Sequence, residues 1–77
     1  MNVIDETRAR RELPAPTLAR AIREAAGVSQ SAVARDLGVT RMTVCRWESG
    51  RCRPSIEHVA AYAEILRALH DETRGQR

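Results

Sequence analysis

Residues 29–54 read SQSAVARDLGVTRMTVCRWESGRCRP, and this stretch decides the fold. Ser29 is a helix N-cap residue, and residues 30–37 follow it with Ala32, Val33 and Leu37 on one face. Gly38 ends that run, because glycine takes the positive φ that a sharp turn between helices requires. Thr40 is a second N-cap residue ahead of residues 41–49, and Gly50 is the second stop. The spacing predicts two short helices joined by a tight turn, with Val39 buried as a plug between them.

The second helix of the pair divides cleanly by side. At about 100° per residue, Thr43, Val44, Trp47 and Glu48 share one side, and Arg41, Met42, Cys45, Arg46 and Ser49 share the other. The first side is mostly apolar and is expected to face the core, with Trp47 as a wedge in it. The second side carries two arginines and no acid. A solvated charged face is the plainer reading of such a side; a nucleic-acid contact is the sharper one.

Working outward, Pro14 and Pro16 break any helix running through them and suit the opening of a new one. A helix is expected over about 16–26, with Leu18, Ile22, Ala25 and Ala26 as its core face, an Arg20–Glu24 pair at i, i+4, and Gly27 as its stop. On the other side, Ser55 is read as the N-cap of a helix reaching about His70, with Ile56, Val59, Ala60, Ala63 and Leu66 repeating at three and four. Residues 1–13 are mixed in charge and read as either an arm or a short helix; residues 71–77 read as a polar tail. The domain proper is thus placed at 14–70. Small apolar residues at helical spacing, with only Trp47 and Tyr62 as aromatics, predict an all-α fold of four to five helices.

A chain of 77 residues makes one domain with a thin core. Its net charge of +3 is unevenly spread. Within residues 41–53, Arg41, Arg46, Arg51 and Arg53 are opposed only by Glu48, so the basic excess sits in the turn-helix stretch and the loop after it. Such a local excess attracts phosphate backbones. All 13 basic residues are arginine, a bias spread along the whole chain that fits codon preference better than function.

The string Ser29-Gln30, Val33-Ala34, Gly38-Val39-Thr40, Val44, Trp47-Glu48, Gly50 and Pro54 resembles the helix-turn-helix of lambda-repressor/Cro-like regulators, in register without gaps from Arg23 to about Leu66. The resemblance implies a compact lambda-repressor-like DNA-binding domain whose helix 41–49 enters the major groove of double-stranded DNA. It implies base contacts from Arg41, Met42, Cys45 and Arg46, since arginine pairs bidentately with guanine and an apolar or sulfur side chain meets a thymine methyl. It implies phosphate contacts from Ser29, Gln30, Thr40, Thr43, Arg51 and Arg53, helped by free N–H groups at helix starts. It also implies a structural salt bridge between Arg23 and Glu48. Many relatives have a further helix after a Gly-Val break; here Leu66 runs straight into Arg67-Ala68-Leu69-His70, so the last helix is expected to continue.

The function expected from these readings is a sequence-specific transcription regulator, a repressor of the phage Cro or immunity type, forming a homodimer at least on DNA. The alternative is an antitoxin or adaptor whose main task is to bind a protein partner. Arg8, Arg10 and Arg11 are either an arm reaching the minor groove or, more plainly, a mobile tail or a dimer contact. No acid, base and nucleophile constellation supports an enzyme. Cys45 and Cys52 lie seven apart without partner ligands, and His58 and His70 are isolated, so neither a metal site nor a cofactor is expected. The absence of an apolar run of about 18 residues argues against a transmembrane helix, and a cytoplasmic location with reduced cysteines is expected.

Overall fold

Every predicted cap marks a real helix boundary, and the elements follow from there. A computed structural model describes residues 3–75, with the side chains of Asp5, Glu6 and Ala9 outside the described set. It contains α1 (Val3–Glu12), α2 (Pro16–Ala25), α3 (Gln30–Leu37), α4 (Arg41–Glu48) and α5 (Ile56–Arg74), with no strand among the described residues. Ser29 Oγ accepts the Ala32 N–H at 3.0 Å, and Thr40 Oγ1 accepts the Thr43 N–H at 3.2 Å, so each hydroxyl satisfies one orphan donor of its helix. Ser55 stands at the N-cap of α5 but its side chain makes no capping bond.

Gly38 closes α3 in the left-handed region at φ 72°, and the Val39 N–H returns to the Ala34 carbonyl at 2.9 Å. This is the six-to-one bond of a Schellman turn, and it swings the chain directly from α3 into α4. Gly50 does the same after α4 at φ 78°, with the Arg51 N–H on the Arg46 carbonyl at 3.0 Å. Val39 is half-buried against the core, as a plug in the turn should be.

The core joins Ala19 of α2, Val33 and Ala34 of α3, Val44 and Trp47 of α4, and Tyr62 and Leu66 of α5. Trp47 and Tyr62 meet with ring centroids 4.8 Å apart and planes tilted by 44°, a favoured arrangement for an aromatic pair. Half-buried His58 flanks Trp47 at 6.1 Å. The small residues Ala19 and Ala34 let the short helices approach closely.

Two expectations change, and one alternative is settled. The core face of α2 is Ala19, Ile22, Arg23 and Ala26, not the stripe starting at Leu18; Leu18 remains 54% exposed, and Ala25 is exposed. The rotation has a physical cause, because Arg23 must turn inward to reach Glu48. Of the two readings left open for residues 1–13, the short helix is the one seen, over Val3–Glu12 and packed on α5; Glu12 meets Arg67 at 3.5 Å, and the Arg10 guanidinium donates to the Pro54 carbonyl at 3.5 Å. Finally, α5 is one uninterrupted helix that passes His70 and ends at Arg74, where Thr73 Oγ1 donates to the Leu69 carbonyl at 2.9 Å. Gln76 and Arg77, the end of the expected tail, lie outside the described residues.

Candidate nucleic-acid interface

The outward side of α4 is built by fixing its inward side. Glu48, at the end of α4, is only 6% exposed, and Arg23 on α2 only 8%. Arg23 Nε donates to Glu48 Oε2 at 2.6 Å and its Nη2 donates to Oε1 at 2.9 Å, a two-pronged ion pair. The remaining prong, Nη1, donates to the Val28 carbonyl at 2.8 Å in the α2–α3 turn. One guanidinium therefore ties α2, the turn after it and α4 together. Burial alone would push the Glu48 carboxyl up; the hydrogen bonds from Arg23 and Gln30, with the charge of Arg23, outweigh it and hold the carboxyl below the usual range. The bond to Glu48 correspondingly raises the Arg23 guanidinium, against the opposing effect of burial.

The network continues to the surface. Gln30, the first residue of α3, donates from Nε2 to Glu48 Oε1 at 3.0 Å, and its Oε1 accepts from Arg41 Nη1 at 2.9 Å. A line of hydrogen bonds thus runs Arg23, Glu48, Gln30, Arg41, from the interior to the first residue of α4. Gln30 is half-buried and engaged at both ends of its amide.

Among the residues expected to read bases, Arg41, Met42 and Arg46 are exposed together on α4, Met42 at 51%. Cys45 is half-buried between them and contributes an edge, not a full side chain. Of the expected phosphate contacts, Ser29, Thr40, Arg51 and Arg53 are exposed, while Thr43 is half-buried with its hydroxyl 3.0 Å from that of Thr40. Ser29 and Thr40 use their oxygens as caps; the Ser29 hydroxyl keeps its proton for a phosphate, and the Thr40 and Thr43 hydroxyls share one hydrogen bond, which leaves one proton between them. Arg51 and Arg53 sit in the loop between Gly50 and α5. The long helix α5 packs on α1, α2 and α3 and leaves the outer side of α4 uncovered.

Tyr62 is the exception to good polar pairing. Its hydroxyl is buried without a hydrogen-bond partner among the described residues. Burial, with a smaller push from the Glu48 charge, raises its pKa to about 12.

Among the described residues no group of three His, Cys, Asp or Glu is arranged to hold a metal ion, and no helix is long and apolar enough to cross a membrane.

Compared with known proteins, no curated protein and no solved structure matches this chain. A family model described as a helix-turn-helix domain matches residues 17–75, which is more than half of the sequence and covers α2 to α5 without α1. In agreement with the capped pair α3–α4 and its Gly38 turn, the chain belongs to the helix-turn-helix domain family, a family of DNA-binding domains.

Proposed function

We propose that this protein is a sequence-specific transcription regulator that reads double-stranded DNA with α4 and acts as a repressor. The observation that carries the reading is the outer side of α4: Arg41, Met42 and Arg46 exposed together, with no acidic side chain among them, on a helix anchored from behind by a buried ion pair. A groove-reading helix needs those two properties together, since base edges reward only side chains held in register.

In this mechanism α4 lies in the major groove and Arg41 and Arg46 donate to guanine edges, while Met42 and the accessible edge of Cys45 contact thymine methyls. Gln30 keeps Arg41 oriented through its Oε1, and the second N–H of its amide is available to a phosphate. Ser29, Thr40, Thr43, Arg51 and Arg53 hold the backbone on either side. A homodimer would present two such helices to half-sites about 34 Å apart, one turn of duplex. Occupying a promoter in this way excludes polymerase, the logic of a phage Cro or immunity-type switch.

A second reading, an antitoxin or adaptor that binds a protein, is favoured by the apolar surface outside the α3–α4 pair: Val3, Ile4 and Leu18 are 77%, 67% and 54% exposed. The two readings separate in one experiment. Footprinting on the DNA flanking the gene, repeated at two salt concentrations, should show a protected palindrome whose affinity falls steeply with salt. Absence of protection at low salt would sink the repressor and leave the adaptor.

A further inference from the structure

We propose that the cavity walled by the additional helix α1 is a binding site for a small carboxylate with an aromatic or branched apolar body. The cavity has a volume of about 450 Å³, within the usual range of small-molecule sites. It lies where the α1–α2 linker faces the α4–α5 loop, and no acidic side chain among the described residues lines it. Arg10, Leu13, Pro14 and Pro16 form one wall, and all four precede the residues that the family model matches. The cavity is therefore an addition made by this chain to the helix-turn-helix frame.

Its lining specifies the ligand. Leu13, Pro14 and Pro16 supply the accessible apolar surface, with the rings of Trp47 and Tyr62 buried behind it, which suits a ring or a branched aliphatic group. Arg53 lines the cavity, is exposed, and has no ion-pair partner among the described residues. An arginine fork beside apolar walls recognises a carboxylate by two parallel hydrogen bonds. A bare phosphate would satisfy the fork but leave the apolar walls unused. Trp47 belongs to the last turn of α4, and Gly50, Cys52 and Arg53 belong to the loop after it. A ligand here touches both parts proposed to meet DNA and is placed to act as an effector, although its binding does not depend on that reading.

Trp47 is the only tryptophan in the chain, so its fluorescence reports on the cavity directly. The full-length protein, free of DNA, is titrated with phenylacetate and with 4-methylpentanoate; phenylacetamide and inorganic phosphate are titrated alongside. The expected result is a saturable change with both acids, binding about tenfold or more weaker for the amide, and no saturable change with phosphate. Arg53→Gln should weaken the acids by a similar factor, and Arg53→Lys should recover part of the loss. Amide chemical shifts in the same titration should move at residues 13–16, 47 and 50–54. The site is refuted if neither acid saturates, if the amide or phosphate binds as well as the acids, if Arg53→Gln changes nothing, or if the shifts gather on the outer side of α4.

Discussion

On the inner side of α4, Val44 and Trp47 are buried and Glu48 is locked to Arg23; on the outer side, Arg41, Met42 and Arg46 stand in solvent. The same eight residues make both sides, and each charged group is treated according to where it falls. The inner carboxylate accepts three hydrogen bonds from two side chains, two of them from a guanidinium, whereas the outer arginines have at most one side-chain partner each among the described residues, Arg41 on Gln30. A buried charge left unpaired is costly, so the inner side must be complete in itself. An exposed arginine can remain incomplete, and incompleteness is what a ligand-reading surface requires.

Breaking the inner side should therefore produce the largest effect. Glu48→Ala leaves the Arg23 guanidinium buried without its counter-charge and should cost about 3–5 kcal/mol of stability, measured by urea unfolding. For a domain of this size that approaches the whole stability. Arg23→Met combined with Glu48→Met should be far milder than either change alone, because it removes both charges and keeps apolar volume. The pair also sets an acid limit. The Glu48 carboxyl is depressed in the folded state, so its contribution is present above the unfolded carboxyl value of about 4.3 and is lost as pH falls through the lower folded value. Glu48→Gln should flatten that acid limb of the unfolding profile.

The outer side should give the opposite signature. Arg41→Ala and Arg46→Ala should change unfolding stability by no more than about 0.5 kcal/mol. Each should weaken operator binding by about 1–3 kcal/mol and relax the preference at one base pair, measured by anisotropy on a panel of single-site operator variants. Loss of stability together with loss of binding at either position would erase the contrast between the two sides.

The turn that sets the angle between α3 and α4 should come next in size. A Cβ at Gly38 would meet nothing within 4 Å, so space is not the reason for glycine there; the φ of 72° is. Gly38→Ala should cost about 1–2 kcal/mol, seen as a lowered melting temperature.

Which parts of this contrast could be read from the sequence depends on how local their causes are. Ser29, Gly38, Thr40 and Gly50 act through bonds to residues a few positions away, so the two helices, their turn and the basic loop were legible. The inward position of Glu48 followed from helical periodicity, and its pairing with Arg23 from the family resemblance. The orientation of α2 was not legible, because Leu18 and Ala19 each begin a plausible apolar stripe and only the demand of Glu48 on Arg23 selects between them. The bonds of Gln30 to Glu48 and Arg41 were not legible, because these partners stand 18 and 11 positions away in sequence. The last turn of α5 was missed since residues 71–74 are polar and carry no core signal. The α1 cavity depends on contacts between residues some forty positions apart, as in the Arg10 bond to Pro54.

The smallest effect sharpens the comparison from inside the core. Glu48 and Tyr62 both place a polar group beside the packed centre, but the Tyr62 hydroxyl has no partner among the described residues. Removing an unpartnered buried hydroxyl relieves a desolvation penalty and loses no hydrogen bond, so Tyr62→Phe should leave stability at neutral pH unchanged or slightly raised. Its effect should emerge in alkali. The folded pKa is raised to about 12, above the unfolded value of about 10, so the protonated phenol is favoured in the fold. Its contribution is complete below pH about 10 and is lost as pH rises towards about 12, because only the unfolded chain releases the proton there. Unfolding profiles of the two proteins should therefore coincide at pH 7 and separate above pH 10, with the phenylalanine variant the more stable. A clear loss of stability at pH 7 on removing this oxygen would mean that it is paired after all, and that the inner side of this domain tolerates no unsatisfied group.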